Sequence, residues 1–154
     1  MRSLTGSRLL CVLPQNPFDP CSGAARSVRT ICELLARNGA EVRCIASSNE
    51  AGGTSRLPLE FRGVRYAEIH PEMPEPQALT DKLFESVCYE MKPDFMFGFG
   101  GTPYDIARYH WARMQGCKIV FALRNHGYLD GGAGFFSPFS GILTPSRYLA
   151  NVYS

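Results

Sequence analysis

Apolar residues along this chain come in two rhythms, and the alternation between them predicts its architecture. Residues 8–14, RLLCVLP, are almost continuously apolar up to Pro14. That is the pattern of a strand buried on both faces, as strands of parallel sheets are. A turn-rich stretch, QNPFDPCSG, follows. Ala24, Val28, Ile31, Cys32 and Leu35 then recur at helical spacing, with Arg26, Arg29, Glu33 and Arg37 on other faces. Ser22 suits the N-cap of this helix, and Asn38-Gly39 suits its C-terminal stop. The run from Glu41 to Ala46 alternates and is β-rich. Strand, glycine-bearing loop, helix and strand make a βαβ unit.

The same alternation continues to the far end. Residues 47–57 are small and polar and read as a loop, and residues 58–61 and 64–69 read as two short strands around Arg62-Gly63, forming a hairpin or a bent strand. HPEMPEPQ is proline-rich and extended. Leu79, Leu83, Val87 and Met91 mark a helix that Lys92-Pro93 ends, and DFMFGF (94–99) reads as a central strand. GGTPYD leads into a third helix, roughly 103–115, for which Gly116 is a natural terminator. KIVFAL (118–123) is a further buried strand, and RNHGYLDGGAGFFSPFS is a glycine- and aromatic-rich loop. A short strand at 141–144 and a helix opening at Pro145-Ser146 complete the pattern. Residues 1–154 are therefore expected to form a single α/β domain, a Rossmann-like doubly wound parallel sheet with right-handed crossovers.

Composition narrows the function classes. Hydrophobic residues are 45% and charged residues 19% of the chain, a globular balance, and the formal net charge is +2. So small a charge gives no argument for nucleic acid as a partner. The N-terminal apolar run is brief and lacks a small-x-small cleavage site, so a cytoplasmic location is expected. Six cysteines are present, at 11, 21, 32, 44, 88 and 117, without a C-x-x-C pair or zinc spacing. Reduced thiols, acting as small hydrophobes, and no metal site are the expectation. Cys21, in a loop, is the thiol to test for reactivity.

Ligands of open α/β sheets bind beyond the carboxyl ends of the strands, which here means loops 15–23, 98–102, 124–140 and 144–146. In the first, Ser22-Gly23 opens a helix whose free N–H groups and dipole favour a phosphate or other anion. A tight turn that needs glycine for its own geometry fits the local sequence equally. The second loop carries Gly98, Gly100 and Gly101. It lacks the third glycine of a dinucleotide fingerprint, and no acidic residue follows at the spacing that reads a ribose. The third offers Arg124 for a phosphate or carboxylate and His126 for proton exchange, with Asn125, Tyr128 and Asp130 nearby. A surface loop tucked down by its aromatics is the alternative there. No G-x-S-x-G elbow, Walker loop or H-E-x-x-H helix occurs.

Taken in order, these segments resemble the N-terminal half of retaining GT-B glycosyltransferases of the group 1 (family 4) type. RLLCVLPQNPFDPCSGAARSVRTICELLARNGAEVRCIA is similar to that family's opening strand, glycine turn, helix and second strand. KPDFMFGFG resembles its "hxPDhhhhH" strand, GCKIVFALRNHGYL its "G-h-P-h-h-h-x-h-H-N" segment, and GILTPSRYLANVYS its "h-h-x-x-S-x-h-x-x-x-h" segment. The resemblance implies a two-domain, hexosyltransferase-like enzyme with its active site in the interdomain cleft. Its N-terminal domain mainly holds the acceptor, and its C-terminal domain holds most of the nucleotide-sugar donor. By motif, Ser22, Gly23 and Ala24 would face the donor phosphate and sugar. Arg124 or Asn125 would stand where the family often has histidine, with His126 beside them. Ser146 would open the last helix of the domain.

Two departures qualify the match. Phe97, Gly98 and Phe99 stand where many relatives carry a strand-end histidine, so no catalytic residue is assigned. The donor-binding E-x7-E segment and the second domain are not among the 154 residues, so the chain is expected to be a truncated half, inactive alone. No cofactor or bound metal is implied. The implied partners are a nucleotide-sugar donor and a sugar, lipid or small-molecule acceptor; contact with a membrane surface or a partner domain stays open. Two other readings stand beside this one: a stand-alone Rossmann-like nucleotide-binding protein using the Gly23 or Gly100 turn, and a non-catalytic subunit that docks a partner. Exposure of Phe135, Phe136 and Phe139 would favour an apolar acceptor or a partner surface.

Overall fold

In the computed structural model of the chain, the described residues are 3–50, 53–54, 56–69, 76–123 and 132–144. In chain order the elements are β1 (Arg8–Leu13), α1 (Gly23–Arg37), β2 (Glu41–Ser47), β3 (Asn49–Glu50), β4 (Gly53–Thr54), β5 (Glu60–Phe61) and β6 (Val64–Ile69). There follow α2 (Pro76–Met91), β7 (Phe95–Gly98), α3 (Pro103–Met114), β8 (Lys118–Ala122), α4 (Gly132–Phe136) and β9 (Gly141–Leu143). Seven strands form one sheet in the order β5-β6-β2-β1-β7-β8-β9, and all neighbours pair parallel except β5 with β6. Leaving out the short antiparallel β5, the parallel strands run third, second, first, fourth, fifth, sixth. That is the doubly wound Rossmann order, which reverses direction between β1 and β7.

Residues of β1 supply both layers of the core. Leu10 and Val12 face α2 and α3, while Cys11 and Leu13 face α1. Leu10, Cys11 and Leu13 have no exposed surface, which is what the continuous apolar run predicted. Each side chain buried to that degree contributes on the order of 1.5–3 kcal/mol. The crossover from β6 through α2 to β7 carries the chain to the second face, where Phe84 of α2 meets Trp111 of α3 at 5.5 Å between ring centroids.

Boundaries follow local chemistry closely. Ser22 caps α1 by accepting from the Ala25 N–H, and Thr102 caps α3 in a reciprocal box with Asp105. The β5–β6 turn has positive φ at both central residues, 50° at Arg62 and 79° at Gly63, as a type I′ hairpin requires. The hairpin reading of residues 58–69 thus holds over the bent strand.

Three features depart from the sequence expectation. Residues 49–54 of the expected polar loop contribute the two-residue strands β3 and β4. Glu33, placed with the polar faces of α1, is only 4% exposed. It pairs with Arg29 on its own helix at 3.3 Å and with Arg62 of the hairpin at 2.9 Å. Finally, the glycine- and aromatic-rich segment contains α4, which turns its phenylalanines inward. Phe121 stacks on Phe139 at 4.5 Å and meets Phe135 edge-on at 5.5 Å. Phe135 is buried and Phe136 and Phe139 are half-buried, so the exposed phenylalanine surface that would have favoured an apolar acceptor or a partner surface is not formed.

Candidate functional site

The reversal of strand order sets the loop after β1 beside the loop after β7, at the carboxyl ends of adjacent strands. This is the crevice in which doubly wound sheets bind ligands. Residues 14–22 form its first wall and are held from beneath. The buried Asn16 donates through Nδ2 to the Ser48 carbonyl at the end of β2 and accepts from the Phe18 N–H at 2.8 Å. Phe18 packs edge-on against Phe61 at 5.3 Å, with the Arg29 guanidinium 5.0 Å from its ring centre. Asp19 accepts from the Cys21 N–H at 2.8 Å. Sequence reasoning passed over Asn16, although an asparagine before a proline at a strand end is a turn signal.

At the mouth of this loop, Ser22 Oγ donates to Gln15 Oε1 at 2.9 Å and accepts from the Ala25 N–H at 3.2 Å. The Arg26 N–H closes on the Ser22 carbonyl. The N–H groups of Gly23 and Ala24, first in the helix, have no intrahelical partner, and none is seen for them among the described residues. Gly23 is the first residue of α1 with a φ outside the positive region, and a Cβ built on it would meet nothing within 4 Å. Neither backbone conformation nor packing requires glycine there. Of the two readings of Ser22-Gly23, the one in which the turn needs glycine for its own shape loses its basis.

The opposite wall behaves differently. A Cβ on Gly98 would lie 2.9 Å from the Tyr109 ring, and one on Gly100 would overlap the Asp105 carboxylate. Tyr109 Oη donates to the Gly100 carbonyl at 2.7 Å. Asp105 accepts from the Thr102 N–H at 3.0 Å and from Thr102 Oγ1 at 2.7 Å. Arg108 then ties Asp105 to Asp81 of α2, at 3.2 and 2.7 Å. These glycines are explained by close packing. Gly101, directly after Gly100, is half-buried. Burial, with Asp105 nearby, pushes the Tyr109 hydroxyl well above its ordinary range, so it stays a neutral donor. Asp105 shapes the loop through these bonds.

Arg124, Asn125, His126 and Ser146 lie outside the described residues. Ser22, Gly23, Ala24, Gly100 and Gly101 are brought to one end of the sheet by β1 and β7. Asp94 of the P-D motif sits at the opposite end, where its carboxylate takes the Arg8 side chain at 3.0 and 3.2 Å and the Arg8 N–H at 2.9 Å. A concavity of about 410 Å³ at that end, bordered by Arg8, Lys92, Asp94 and Trp111, is remote from the crevice. Among the described residues no cluster of three or more His, Cys, Asp or Glu side chains could hold a metal, and no helix is long and apolar enough to cross a membrane.

No protein-family model matches the chain, and no curated protein matches it in sequence. Among solved structures, it is similar to a protein assigned as a UDP-N-acetylglucosamine 2-epimerase from Listeria monocytogenes. The likeness is one of fold. The two share 11% identity with a TM-score of 0.57, and the match covers 98% of this chain and 42% of the other. This chain thus spans less than half the length of that neighbour. A Rossmann-like α/β domain, such as forms half of a GT-B architecture, is established.

Proposed function

We propose that this chain is the acceptor-side, N-terminal domain of a GT-B glycosyltransferase of the group 1 (family 4) type, which moves a sugar from a nucleotide-sugar donor to an acceptor and needs a second domain to act. One observation carries this reading: Gly23, at the head of α1 in the switch-point crevice, is a glycine that neither φ nor packing demands. Glycine there keeps the Gly23 and Ala24 N–H groups open to close approach by a ligand. In transfer, the acceptor oxygen bonds to the anomeric carbon as the bond from that carbon to the diphosphate oxygen breaks; the nucleoside diphosphate departs with the electron pair, and the acceptor's hydroxyl proton passes to it. N–H groups and a helix dipole fixed before reaction stabilise that growing negative charge. Support also comes from the order of the sequence motifs and from the nucleotide sugar named for the structural neighbour. Arg124, Asn125 and His126 are the expected contacts from the loop after β8, and Ser146 from the segment after β9.

An amide chemical-shift titration of the chain with UDP-, GDP- and ADP-sugars tests this. With most donor contacts in another domain, millimolar binding is expected, with shifts at Ser22–Ala25 and Gly100–Thr102. Gly23→Val should abolish them and leave the fold intact. Shifts confined to other regions, with every donor, would overturn the proposal. Tight saturable binding by this half alone would instead identify a self-sufficient nucleotide-binding domain.

A further inference from the structure

At the end of the sheet opposite the crevice, the carboxyl ends of α2 and α3 meet the amino ends of β1, β7 and β8 around the concavity of about 410 Å³. That volume is within the range of small-molecule sites. Cys88, Ala112 and Cys117 border it and are themselves buried. Tyr89 and Trp111 also line it, their ring centroids 6.0 Å apart and their planes at 84°. Phe84, a core residue, meets Trp111 edge-on at 5.5 Å, so the indole is held in place before any ligand arrives. Tyr89 is nevertheless 68% exposed. The two rings thus form a right-angled aromatic corner that the fold leaves open to solvent.

The polar groups beside this corner have no dominant sign. Arg8 and Asp94 neutralise each other through their paired side chains. Lys92 adds one positive charge, set against the partial negative charge of two helix carboxyl ends. An anion would therefore face the helix ends, and a cation would face Lys92. Neither Lys92 nor Gln115 makes a side-chain hydrogen bond or ion pair with a described residue. Lys92 also has a φ of 49° directly after α2, a position that favours glycine. A lysine is kept there although its backbone is strained. A neutral ring with an apolar face and a rim of hydroxyls matches this set of groups. We infer that the hollow binds a neutral saccharide. The C–H face of one pyranose lies on the Trp111 ring in the corner made with Tyr89, its hydroxyl oxygens accept from Lys92 and Gln115, and a hydroxyl donates to Asp94. This ligand is independent of whatever the crevice takes.

Trp111 is the single tryptophan of the chain, so its indole N–H resonance reports on the site directly. The test is a titration of the full chain with cellobiose, maltose and the methyl glycosides of glucose, galactose and N-acetylglucosamine. A saturable indole shift in the millimolar range is expected with at least one of them. Sorbitol, an open-chain polyol without a pyranose face, should give none. Tyr89→Ala should weaken binding about fivefold with Tm within error, and Lys92→Gln about threefold. Lys82→Gln, exposed on α2 and outside the hollow, should change nothing. If Tyr89→Ala does not fold, Lys92→Gln carries the test. The absence of an indole shift with every sugar up to tens of millimolar would overturn the inference. So would undiminished binding by both variants, an equal shift with sorbitol, or tighter binding of 2-naphthoate, which would make the hollow a site for aromatic anions.

Discussion

Two glycines of the crevice occupy opposite physical situations, and substitution separates them. Gly23→Ala adds a methyl to open space at a φ outside the positive region, so it should raise stability by about 0.5 kcal/mol through the unfolded chain. Gly100→Ala drives a methyl into the Asp105 carboxylate and should cost about 2 kcal/mol. Chemical denaturation of the two variants checks both signs. A large loss in Gly23→Ala would mean that the turn itself needs the glycine, and the ligand argument would fall with it. The sequence shows both as loop glycines after strands. Only the atoms around each, above all the approach of Asp105 from α3, distinguish a residue kept for packing from one kept for space.

At the scale of elements, β1 and β7 are joined at their amino ends by the Arg8–Asp94 pair. The Arg8 guanidinium, with the Arg8 N–H, holds the Asp94 carboxyl below its ordinary value of 3.8. A carboxyl whose pKa is lower folded than unfolded stabilises the fold above its unfolded pKa, and this contribution disappears as pH falls through the folded value. The Tm difference between the parent chain and Asp94→Asn should therefore be constant from pH 7 to about 5 and shrink below about pH 4. A difference that persists undiminished at pH 2.5 would show that the carboxylate charge is not what matters. Both side chains are more than a third exposed, so the effect is modest. The α1 helix was legible from spacing and caps alone. The burial of Glu33 was not, because its partner Arg62 lies on a hairpin 29 positions away and helical periodicity carries no knowledge of what folds over a face.

For the whole molecule, the thiols report on both layers at once. Cys11, Cys32 and Cys44 lie in the α1 layer, and Cys88 and Cys117 lie in the other. All five are buried and free, whereas Cys21 is exposed. Burial pushes the Cys88 and Cys117 thiols up to about 12, and Cys11 and Cys32 are also held well above the ordinary range. A thiol reagent at neutral pH should modify one cysteine quickly, Cys21. The other five should react together at the rate of global opening if the two layers unfold as a unit. Early reaction of Cys88 and Cys117 alone would show that the α2–α3 layer opens separately.

The sequence by itself determined the alternation of strands and helices, the caps at Ser22 and Gly116, and the two-sided burial of β1. These are consequences of local spacing and backbone chemistry, written in neighbouring residues. It also determined that candidate ligand groups fall in loops after strands, since that follows from chain order in any parallel sheet. Tertiary structure alone decided the inward turn of Phe135 and Phe139 onto Phe121, the close packing that demands Gly98 and Gly100, and the open space before Gly23. Each depends on atoms brought together from distant positions, and contact at a distance leaves no period in a sequence.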